Sequence, residues 1–237
     1  MKAAVVIPAR DEAVLIGDCL QAVRAAVRSS RMDCDIFVID DGSVDDTAAV
    51  AAGVLGGAGH VFLRNFANVG AARREGALIA LADRHTPEFL AFTDADTVVP
   101  GDWLGQLAEL FEAGADGVAG TVRLEHSADP SLLHAFQRSY RRGIGTFAHT
   151  HIHGANLAVS TASYLAVGGF RPLASGEDVD LWRRLGRAGF RLASPPDLAV
   201  TTSARLSGRA SGGVAGDLAR LSEGIRSVPR NTVRATG

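Results

Sequence analysis

The segment Phe89–Thr97 reads FLAFTDADT, a short apolar run followed by two aspartates with one residue between them. The run predicts a buried strand over Phe89–Thr93. Because side chains two residues apart in an extended chain point the same way, Asp94 and Asp96 can face a common point. Two carboxylates placed like this repel each other unless a cation lies beside them, and hard divalent cations that bind carboxylates also share phosphate oxygens. At the end of a buried strand in a parallel sheet, the pattern indicates a site for a cation and a phosphate group.

The chain before this segment alternates short apolar runs with amphipathic stretches. The apolar runs predict three further strands: Ala3–Ile7, Asp35–Ile39 and Val61–Leu63. The amphipathic stretches predict helices at Leu15–Val27, from Asp45–Thr47 through about Val54, and at Ala71–Ala82. This alternation predicts an α/β fold with a mostly parallel central sheet and helices on both faces. Ligands of such sheets bind beyond the carboxyl ends of the strands, so the residues that follow each strand are the candidates for chemistry.

The chain after this segment has a less regular pattern. It predicts these elements in order: a helix at Asp102–Ala113, a strand at Val118–Leu124, a helix at Ser131–Phe147, a strand at Leu157–Val159, and helices at Thr161–Val167, Asp178–Arg187 and Gly216–Arg226. An Arg-, Ser- and Gly-rich loop, Arg205–Gly213, precedes the last helix. We therefore expect a small mixed part after the parallel sheet.

Composition narrows the class of protein. Of the 237 residues, 47% are apolar and 21% are charged, which excludes bulk disorder. No apolar run approaches the ~18–20 residues of a membrane span. The first apolar stretch, Ala3–Ile7, is too short for a signal-peptide core, so we expect a cytoplasmic protein. The two cysteines, Cys19 and Cys34, do not make a disulfide scaffold.

Charge is unevenly distributed along the chain. Residues 183–237 contain ten arginines against three acidic residues, although the whole chain has a net charge of −2. A basic section of this kind favours a phosphate-rich partner or an anionic membrane surface, with peripheral contact to the inner face of the membrane. A solvated helix in an arginine-rich protein is the alternative. No aromatic platform or nucleic-acid motif accompanies the arginines, so we do not expect nucleic-acid binding.

The residues after the first two strands narrow the class of ligand. The segment Pro8–Glu12 (PARDE) lacks the Gly-x-Gly-x-x-Gly fingerprint, which argues against a dinucleotide-binding domain. Lys2 is the only lysine, so a P-loop is excluded. Asp40 follows the second strand, where a carboxylate can accept hydrogen bonds from a nucleobase or a ribose. A role in a turn or a helix cap is the alternative for Asp40.

An acidic cluster lies at the start of a predicted helix near the end of the chain. Glu177, Asp178 and Asp180 place three acids in four positions. Asp178 can cap the helix, where exposed N–H groups favour a carboxylate. Capping does not explain all three acids. If the cluster faces the cation site, one of its carboxylates can accept a proton from a hydroxyl.

Six segments together resemble the family 2 inverting glycosyltransferases, which have the GT-A fold. They are, in chain order, VVIPARDEA (Val5–Ala13), VIDDGSVDDT (Val38–Thr47), NVGAARREG (Asn68–Gly76), FTDADT (Phe92–Thr97), GANLAVS (Gly154–Ser160), and GGF with GEDVDLWRRL (Gly168–Leu185). The resemblance implies one GT-A domain over residues 1–204, with a nucleotide-binding half at 1–124 and an acceptor and catalytic half at 125–204. Residues 205–237 would add the Arg- and Gly-rich loop and a C-terminal helix.

The resemblance also implies which residues bind the donor, a nucleoside-diphosphate sugar with uracil as the expected base. The nucleotide would be bound by Pro8, Ala9, Arg10, Glu12, Asp40, Arg73 and Asp94. Of these, Asp40 would contact the base, Arg73 the base or the diphosphate, and Asp94 the ribose. Asp96 would hold Mn²⁺ or Mg²⁺ on the diphosphate.

Further residues are implied for catalysis and for the sugar. Asp178 would be the general base that activates a hydroxyl of the acceptor. The sugars would be contacted by His153, Asn156, Glu177 and Trp182, although for Trp182 we favour a place in the core. Arg205 and Arg209 of the Gly-rich loop would close over the diphosphate, and a disordered basic loop is the alternative.

The chain departs from the family in its histidines. Many relatives place a further metal ligand, often a histidine, after the Glu-Asp motif, but here no histidine follows His153. Metal ligation beyond Asp96 would then come mostly from water and phosphate. The alternating His149, His151 and His153 are either metal ligands or part of a strand edge or acceptor pocket, and we favour the second interpretation.

The implied reaction is a single displacement that inverts the anomeric carbon. The leaving diphosphate gains negative charge, which a divalent cation and arginines would stabilise. The sugar, the acceptor, the linkage and the oligomeric state stay open. The alternatives are an inactive nucleotide-sugar-binding protein and a phosphatase of the haloacid dehalogenase type, whose chemistry needs a downstream lysine that this chain lacks.

Overall fold

The computed structural model describes residues 1–82, 85–125, 129–205, 216, 218 and 220–222. Within these residues the strands are β1 (Lys2–Ala9), β2 (Asp33–Asp41), β3 (His60–Arg64), β4 (Phe89–Phe92), β5 (Thr97–Val98), β6 (Gly117–Ala119), β7 (Thr121–Leu124), β8 (Leu157–Ser160), β9 (Leu192–Ala193) and β10 (Ala199–Thr202). The helices are α1 (Ile16–Ser30), α2 (Thr47–Leu55), α3 (Val69–Leu81), α4 (Trp103–Glu112), α5 (Pro130–Arg141), α6 (Thr161–Ala166) and α7 (Glu177–Arg187). Most predicted elements before Leu124 are therefore found within a few residues of their predicted bounds.

The strands form one large sheet and one small one. The large sheet has the order β3-β2-β1-β4-β8-β6-β9, and the small sheet has the order β5-β10-β7. Strands β1 to β4 are parallel, as predicted, but β8 runs antiparallel to both β4 and β6. An apolar run such as Leu157–Ser160 predicts a strand without giving its direction, so the change of direction could not be read from the sequence.

The strand predicted at Val118–Leu124 is wrong as a single element, because the chain divides at Gly120 into β6 of the large sheet and β7 of the small one. A Cβ atom at Gly120 would collide with the side-chain amide of Asn156 and the carbonyl oxygen of Leu198. The Gly120 N–H donates to the carbonyl oxygen of Asn156 at 2.9 Å. Glycine is needed here because two other backbone segments approach closely.

Two apolar layers cover the large sheet. Along β1, Val5 and Ile7 face the layer that contains α1, α2, α4 and α5, whereas Ala4 and Val6 face the layer that contains α3, α6 and α7. This alternation follows from the two-residue period of a strand. The helices on both faces leave the carboxyl edge of the parallel strands open for the loops that follow them.

The helix predicted at Ser131–Phe147 is too long. Helix α5 ends at Arg141, and the chain then turns back on itself through an isolated bridge between Ile144 and His149. The prediction failed because glycines at positions 143 and 145 interrupt a segment whose remaining residues suit a helix.

Little of the C-terminal section falls within the described residues. Arg205 is described, but the rest of the predicted loop over Arg205–Gly213, including Arg209, lies outside them. Of the predicted helix at Gly216–Arg226, residues 216, 218 and 220–222 are described and are helical. In the part of the chain that the structure describes, no helix is both long and apolar enough to cross a membrane.

Candidate active site

The loops after β1 and β2 are joined at the carboxyl edge of the sheet. The Asp11 N–H donates to Oγ of Ser43 at 2.9 Å, and the Val44 N–H donates to Oδ1 of Asp11 at 2.7 Å. The Glu12 N–H donates to Oγ1 of Thr47 at 2.7 Å. With a fourth bond from the Ala13 N–H to Oδ2 of Asp45 at 3.1 Å, these hydrogen bonds hold the two loops as one unit.

Pro8, Ala9 and Arg10 lie at the end of β1, beside the end of β2. Pro8 pairs with Ile39 and Ala9 pairs with Asp40 in the parallel register. Pro8 and Ala9 are buried, whereas Arg10 is half-buried. The backbone of this predicted nucleotide-binding segment is therefore fixed by the sheet.

The two adjacent aspartates after β2 have different partners. Asp40 is buried and its Oδ1 accepts the Ser43 N–H at 2.9 Å, which closes the turn that follows β2. Asp41 accepts the backbone N–H groups of Phe66, Ala67 and Asn68. Asp41 was not singled out from the sequence, because its partners belong to the loop after β3 and no local pattern links the two.

Asp96, the predicted metal ligand, is paired with Arg205. Arg205 lies 2.8 Å from Oδ2 of Asp96, and its Nη1 donates to Oε2 of Glu12 at 2.7 Å. Burial raises the pKa of Asp96 to about 6 and nearby Asp94 adds to the rise, whereas Arg205 opposes it. The guanidinium of Arg205 therefore joins the loop after β1 to the loop after β4.

Arg73, on α3, is the centre of a second ion-pair network. Its guanidinium is buried and forms ion pairs with Asp94 and Glu177. Burial lowers the pKa of Arg73, but Asp94, Glu177 and Asp178 together raise it by more, so the side chain stays charged. This network ties the end of β4 to the start of α7, across 104 residues of sequence between Arg73 and Glu177.

Asp178 occupies the second position of α7, beside the Arg73 network. Its Oδ2 accepts the Gly154 N–H at 2.8 Å and its Oδ1 accepts the Val179 N–H at 2.7 Å. A Cβ atom at Gly154 would collide with the guanidinium of Arg73. Glycine at this position therefore lets the backbone approach both Arg73 and Asp178, and the carboxylate of Asp178 is held in one orientation while half-buried.

The Asn156 side chain bonds two backbone carbonyl groups and one indole side chain. Its Nδ2 donates to the carbonyl oxygens of Thr121 and Leu198, both at 2.9 Å, and its Oδ1 accepts the Trp103 Nε1–H at 2.9 Å. The side chain is 1% exposed. In this structure both amide hydrogens of Asn156 are therefore used within the protein. Trp182, another predicted sugar contact, is half-buried against the apolar layer of α3, α6 and α7.

The three alternating histidines form part of a column of rings. His151 stacks on Tyr140 with ring centroids 3.7 Å apart, and His153 lies 6.0 Å from His151. His149 is buried, with Nε2 2.9 Å from the carbonyl oxygen of Ala119, and burial lowers its pKa. Among the described residues, no group of three or more His, Cys, Asp or Glu side chains is arranged to hold a metal ion.

A cavity of about 290 Å³ opens against this column. Its lining combines aromatic rings, imidazoles, an arginine and small or apolar side chains, contributed by Phe136, Ser139, Tyr140, His151, His153, Arg220 and Leu221. His153 is adjacent in sequence to Gly154, whose N–H bonds Asp178. The cavity thus lies next to the residue that holds the predicted base.

The residues after β4 fit a divalent cation that is shared with a ligand. Asp94 and Asp96 offer hard carboxylate oxygens, and Asp96 already pairs with a positive group in Arg205. Mg²⁺ and similar ions are commonly bound by one or two carboxylates together with substrate phosphates and water. Among the described residues, these two carboxylates do not form a complete protein cage for a metal ion.

Comparisons with known proteins agree with this geometry. The sequence profile described as Glycosyl transferase family 2 matches residues 4–164. Among curated proteins, none matches the sequence.

Two similar solved structures are the mannosyltransferase PcManGT from Pyrobaculum calidifontis in complex with GDP-Man and Mn²⁺, and S. aureus TarS 1–349 in complex with UDP-GlcNAc. PcManGT is 20% identical with a TM-score of 0.61, and the match covers 84% of this chain and 56% of that one. TarS 1–349 is 18% identical with a TM-score of 0.66, and the match covers 93% of this chain and 65% of that one. This chain therefore spans less than two thirds of either neighbour.

The structural similarity shows the fold, and the profile match shows the family. The neighbours are GT-A glycosyltransferases, so the predicted single GT-A domain with a mostly parallel sheet is confirmed. The profile covers more than half of the chain and includes the segments around Asp40, Arg73 and Asp96. The chain belongs to glycosyl transferase family 2.

Proposed function

We propose that the protein transfers a sugar from a nucleoside-diphosphate sugar to an acceptor hydroxyl, with inversion at the anomeric carbon. The observation that carries the proposal is the position of Asp178. Its carboxylate is oriented by the Gly154 N–H and lies beside the Arg73 network that also holds Asp94, at the end of β4. An acid on α7 thus lies next to the edge of the sheet where a nucleotide would bind.

The donor nucleotide would bind at the joined loops after β1 and β2. Pro8, Ala9 and Arg10 supply a backbone fixed by the sheet, and Asp40 lies at the neighbouring strand end. A carboxylate at such a position can accept hydrogen bonds from a base or a ribose. Of the neighbours above, one is in complex with GDP-Man and another with UDP-GlcNAc. We propose UDP as the nucleotide, with Asp94 toward the ribose.

The diphosphate would lie between Asp96 and Arg205. Asp96, with Asp94, would hold Mn²⁺ or Mg²⁺, which would stabilise the negative charge that the leaving diphosphate gains. Arg205 lies 2.8 Å from Asp96, which supports the proposal that its guanidinium would bind diphosphate oxygens as well. Glu12, the other partner of Arg205, would fix the arginine in this place.

Asp178 would act as the general base. Its carboxylate would take the proton of the acceptor hydroxyl as the hydroxyl oxygen bonds to the anomeric carbon and the bond from that carbon to the diphosphate breaks. Attack from the side opposite the leaving group inverts the configuration. The hydrogen bond from Gly154 to Oδ2 holds the carboxylate in orientation and leaves lone pairs on both oxygens.

The acceptor would enter through the cavity beside Tyr140 and His153. The cavity adjoins Gly154, and its lining offers ring faces together with polar groups, which is the mixture found in sites that bind ring-shaped polar ligands. His153 and Glu177 are the proposed sugar contacts on this side. Asn156 would have a structural role at the site, because its side-chain amide joins the backbone at Thr121 and Leu198.

Nucleotide-sugar screening with Mn²⁺ or Mg²⁺ tests the proposed function. Thermal-shift measurements with UDP-, GDP-, TDP- and CDP-sugars should show stabilisation by one nucleotide class that grows with the metal. Product analysis by NMR of the anomeric proton should then show inverted configuration. A protein that binds the donor with metal but neither transfers nor hydrolyses its sugar would be a binding protein, and the proposed activity would be wrong.

A further inference from the structure

An exposed hairpin follows α5 and presents an aromatic side chain to solvent. Gly145 N–H donates to the carbonyl oxygen of Ala148 at 2.8 Å, and Thr150 N–H donates to that of Gly143 at 2.9 Å. Phe147 lies at the tip between these bonds and its side chain is 91% exposed, and Ile144 beside it is 36% exposed. The hydrogen bonds keep the aromatic ring away from the rest of the protein.

The base of the hairpin is anchored in the interior. His149 is buried, its N–H donates to the carbonyl oxygen of Ser194 at 3.0 Å, and its Nε2 lies 2.9 Å from that of Ala119. His151 stacks on Tyr140 of α5. The exposure of Phe147 is therefore a consequence of a fixed backbone, since a flexible loop could fold its aromatic residue back onto the protein.

Three arginines lie next to the hairpin in sequence. Arg138 and Arg141 occupy the last turn of α5, and Arg142 caps it; all three are exposed, and none forms an ion pair with another described residue. From residue 130 to residue 176 the sequence contains no aspartate or glutamate. Among the described residues, these three positive charges thus have no ion-pair partner, and they adjoin the apolar tip in sequence.

We propose that this docking surface, formed by Arg138, Arg141, Arg142, Ile144 and Phe147, binds an anionic phospholipid bilayer. An isolated aromatic side chain at a narrow tip offers far less apolar area than a stable protein interface, which buries roughly 800 Å² on each partner. The same combination suits a membrane, because the ring enters the interfacial region while arginines meet lipid phosphates. Charge complementarity therefore favours an anionic lipid surface as the binding partner.

The position of the docking surface has a consequence for the reaction, a step that rests on the proposed function. The proposed acceptor cavity is lined by Phe136, Ser139 and Tyr140 of α5, and by His151 and His153 just beyond the hairpin. Docking would therefore bring the cavity close to the bilayer surface. An acceptor carried on a lipid would then reach Asp178 without leaving the membrane.

Vesicle co-sedimentation of the full chain tests the docking surface without any need for activity. Vesicles of equal parts phosphatidylglycerol and phosphatidylcholine should bind the protein, and pure phosphatidylcholine should bind it far more weakly. Phe147→Ala should weaken partitioning about tenfold. A triple variant should weaken partitioning about 100-fold; it carries Arg138→Gln, Arg141→Gln and Arg142→Gln. In about 0.5 M NaCl, the triple variant and the wild type should partition equally.

Matched controls change the same chemistry on β3, α3 and α7, which are not part of the docking surface. Leu63→Ala removes a side chain that is 67% exposed on β3. Arg74→Gln, Arg183→Gln and Arg187→Gln together remove three exposed arginines from α3 and α7. Both controls should bind vesicles within about twofold of the wild type, because an exposed group away from the membrane contributes little.

A fluorescent probe at the tip gives an independent readout. Phe147→Trp should show a blue shift with anionic vesicles and quenching by brominated lipid, whereas Leu63→Trp should show neither. The proposal is overturned if the wild type does not bind anionic vesicles, or if the tip and arginine variants bind like the controls. It is also overturned if soluble polyphosphate shows the same dependence on Phe147, or if Phe147→Ala only converts a dimer into a monomer. A protein that binds vesicles as described but transfers no sugar would contradict the proposed function and leave the docking surface intact.

Discussion

Residues 1–124 and residues 125–204 both contribute to the candidate active site, but they are built in different ways. In the first part, parallel strands place Asp40, Asp94 and Asp96 at one edge, with Asp40 at the end of β2 and the other two in the short loop after β4. In the second part, β8 reverses direction, and between residues 130 and 176 the chain has no acidic residue. The first part therefore offers carboxylates at strand ends, whereas the second offers a segment of rings and arginines followed by the acids at the start of α7. Under the proposed function, the carboxylates of the first part would hold the cation of the donor, and the rings of the second would contact the acceptor.

The largest expected effect is at Asp178, where the second part supplies its one proposed catalytic carboxylate. Asp178→Asn keeps the shape of the side chain and removes its basicity, so turnover should fall about 10³-fold. Donor affinity measured by calorimetry should stay near that of the wild type. Asp180→Asn, on the same helix, is the matched control and should retain most of the turnover, because Asp180 is paired with Arg171 and Arg184. Near-normal turnover of Asp178→Asn would mean that another group is the base.

The second-largest expected effect is at Arg73, whose ion pairs join the two parts of the chain. Arg73→Met leaves Glu177 buried without its ion-pair partner, which should cost about 3–5 kcal/mol in the free energy of unfolding measured with urea. Arg64→Met removes a partly exposed pair with Glu75 and should cost at most about 1 kcal/mol. Equal losses in the two variants would contradict a central role for the Arg73 network.

A smaller effect is expected at Arg205, which joins the loops of the first part. Arg205→Ala should weaken UDP binding about tenfold in titration calorimetry, because a charged hydrogen-bond donor near the diphosphate is lost. Arg187→Ala, an exposed arginine on α7, should leave the affinity as it is. If both variants bind UDP equally well, Arg205 pairs with Glu12 and Asp96 for structural reasons alone.

The smallest expected effect is the contribution of His149, at the base of the hairpin, to the pH dependence of the free energy of unfolding. Burial lowers the pKa of His149 from its ordinary value of 6.5, so the unfolded chain binds a proton that the folded protein does not. Stability from this residue is present above that value and is lost as the pH falls below it, by about 1.4 kcal/mol per pH unit at most. His149→Gln keeps a donor for the carbonyl oxygen of Ala119 and should remove this part of the pH dependence. An unchanged difference in unfolding free energy between about pH 7.5 and pH 5.5 would show that His149 is not its source.

The two parts also differ in how far the sequence predicted them. In the first, strand and helix alternate and neighbouring elements pack together, so local patterns were enough to place Asp40 and Asp96 at one edge. In the second, the structure depends on contacts between distant residues. Asn156 bonds Thr121 and Leu198, and Gly120 divides a predicted strand because other backbone passes close to it. Neither contact leaves a periodic signal in the sequence.

Several candidate residues were found from the sequence, but their partners were not. Arg73 was expected at the base or the diphosphate, whereas in the structure it is buried between Asp94 and Glu177. Asp41 was not singled out beside Asp40, although it holds the loop before α3. Motifs give the identity of residues at a strand end, whereas side-chain direction and partner choice depend on tertiary packing.

Paramagnetic NMR with Mn²⁺ and UDP tests most directly whether Asp96 and Asp178 face one site. With UDP present, Mn²⁺ should broaden the amide resonances of Gly154 and Val179, which bond the carboxylate of Asp178, together with those next to Asp96. Mg²⁺ should cause no broadening, and Asp96→Asn should abolish it. Broadening next to Asp96 that leaves Gly154 and Val179 as sharp as remote amides would place the base away from the donor and contradict the account.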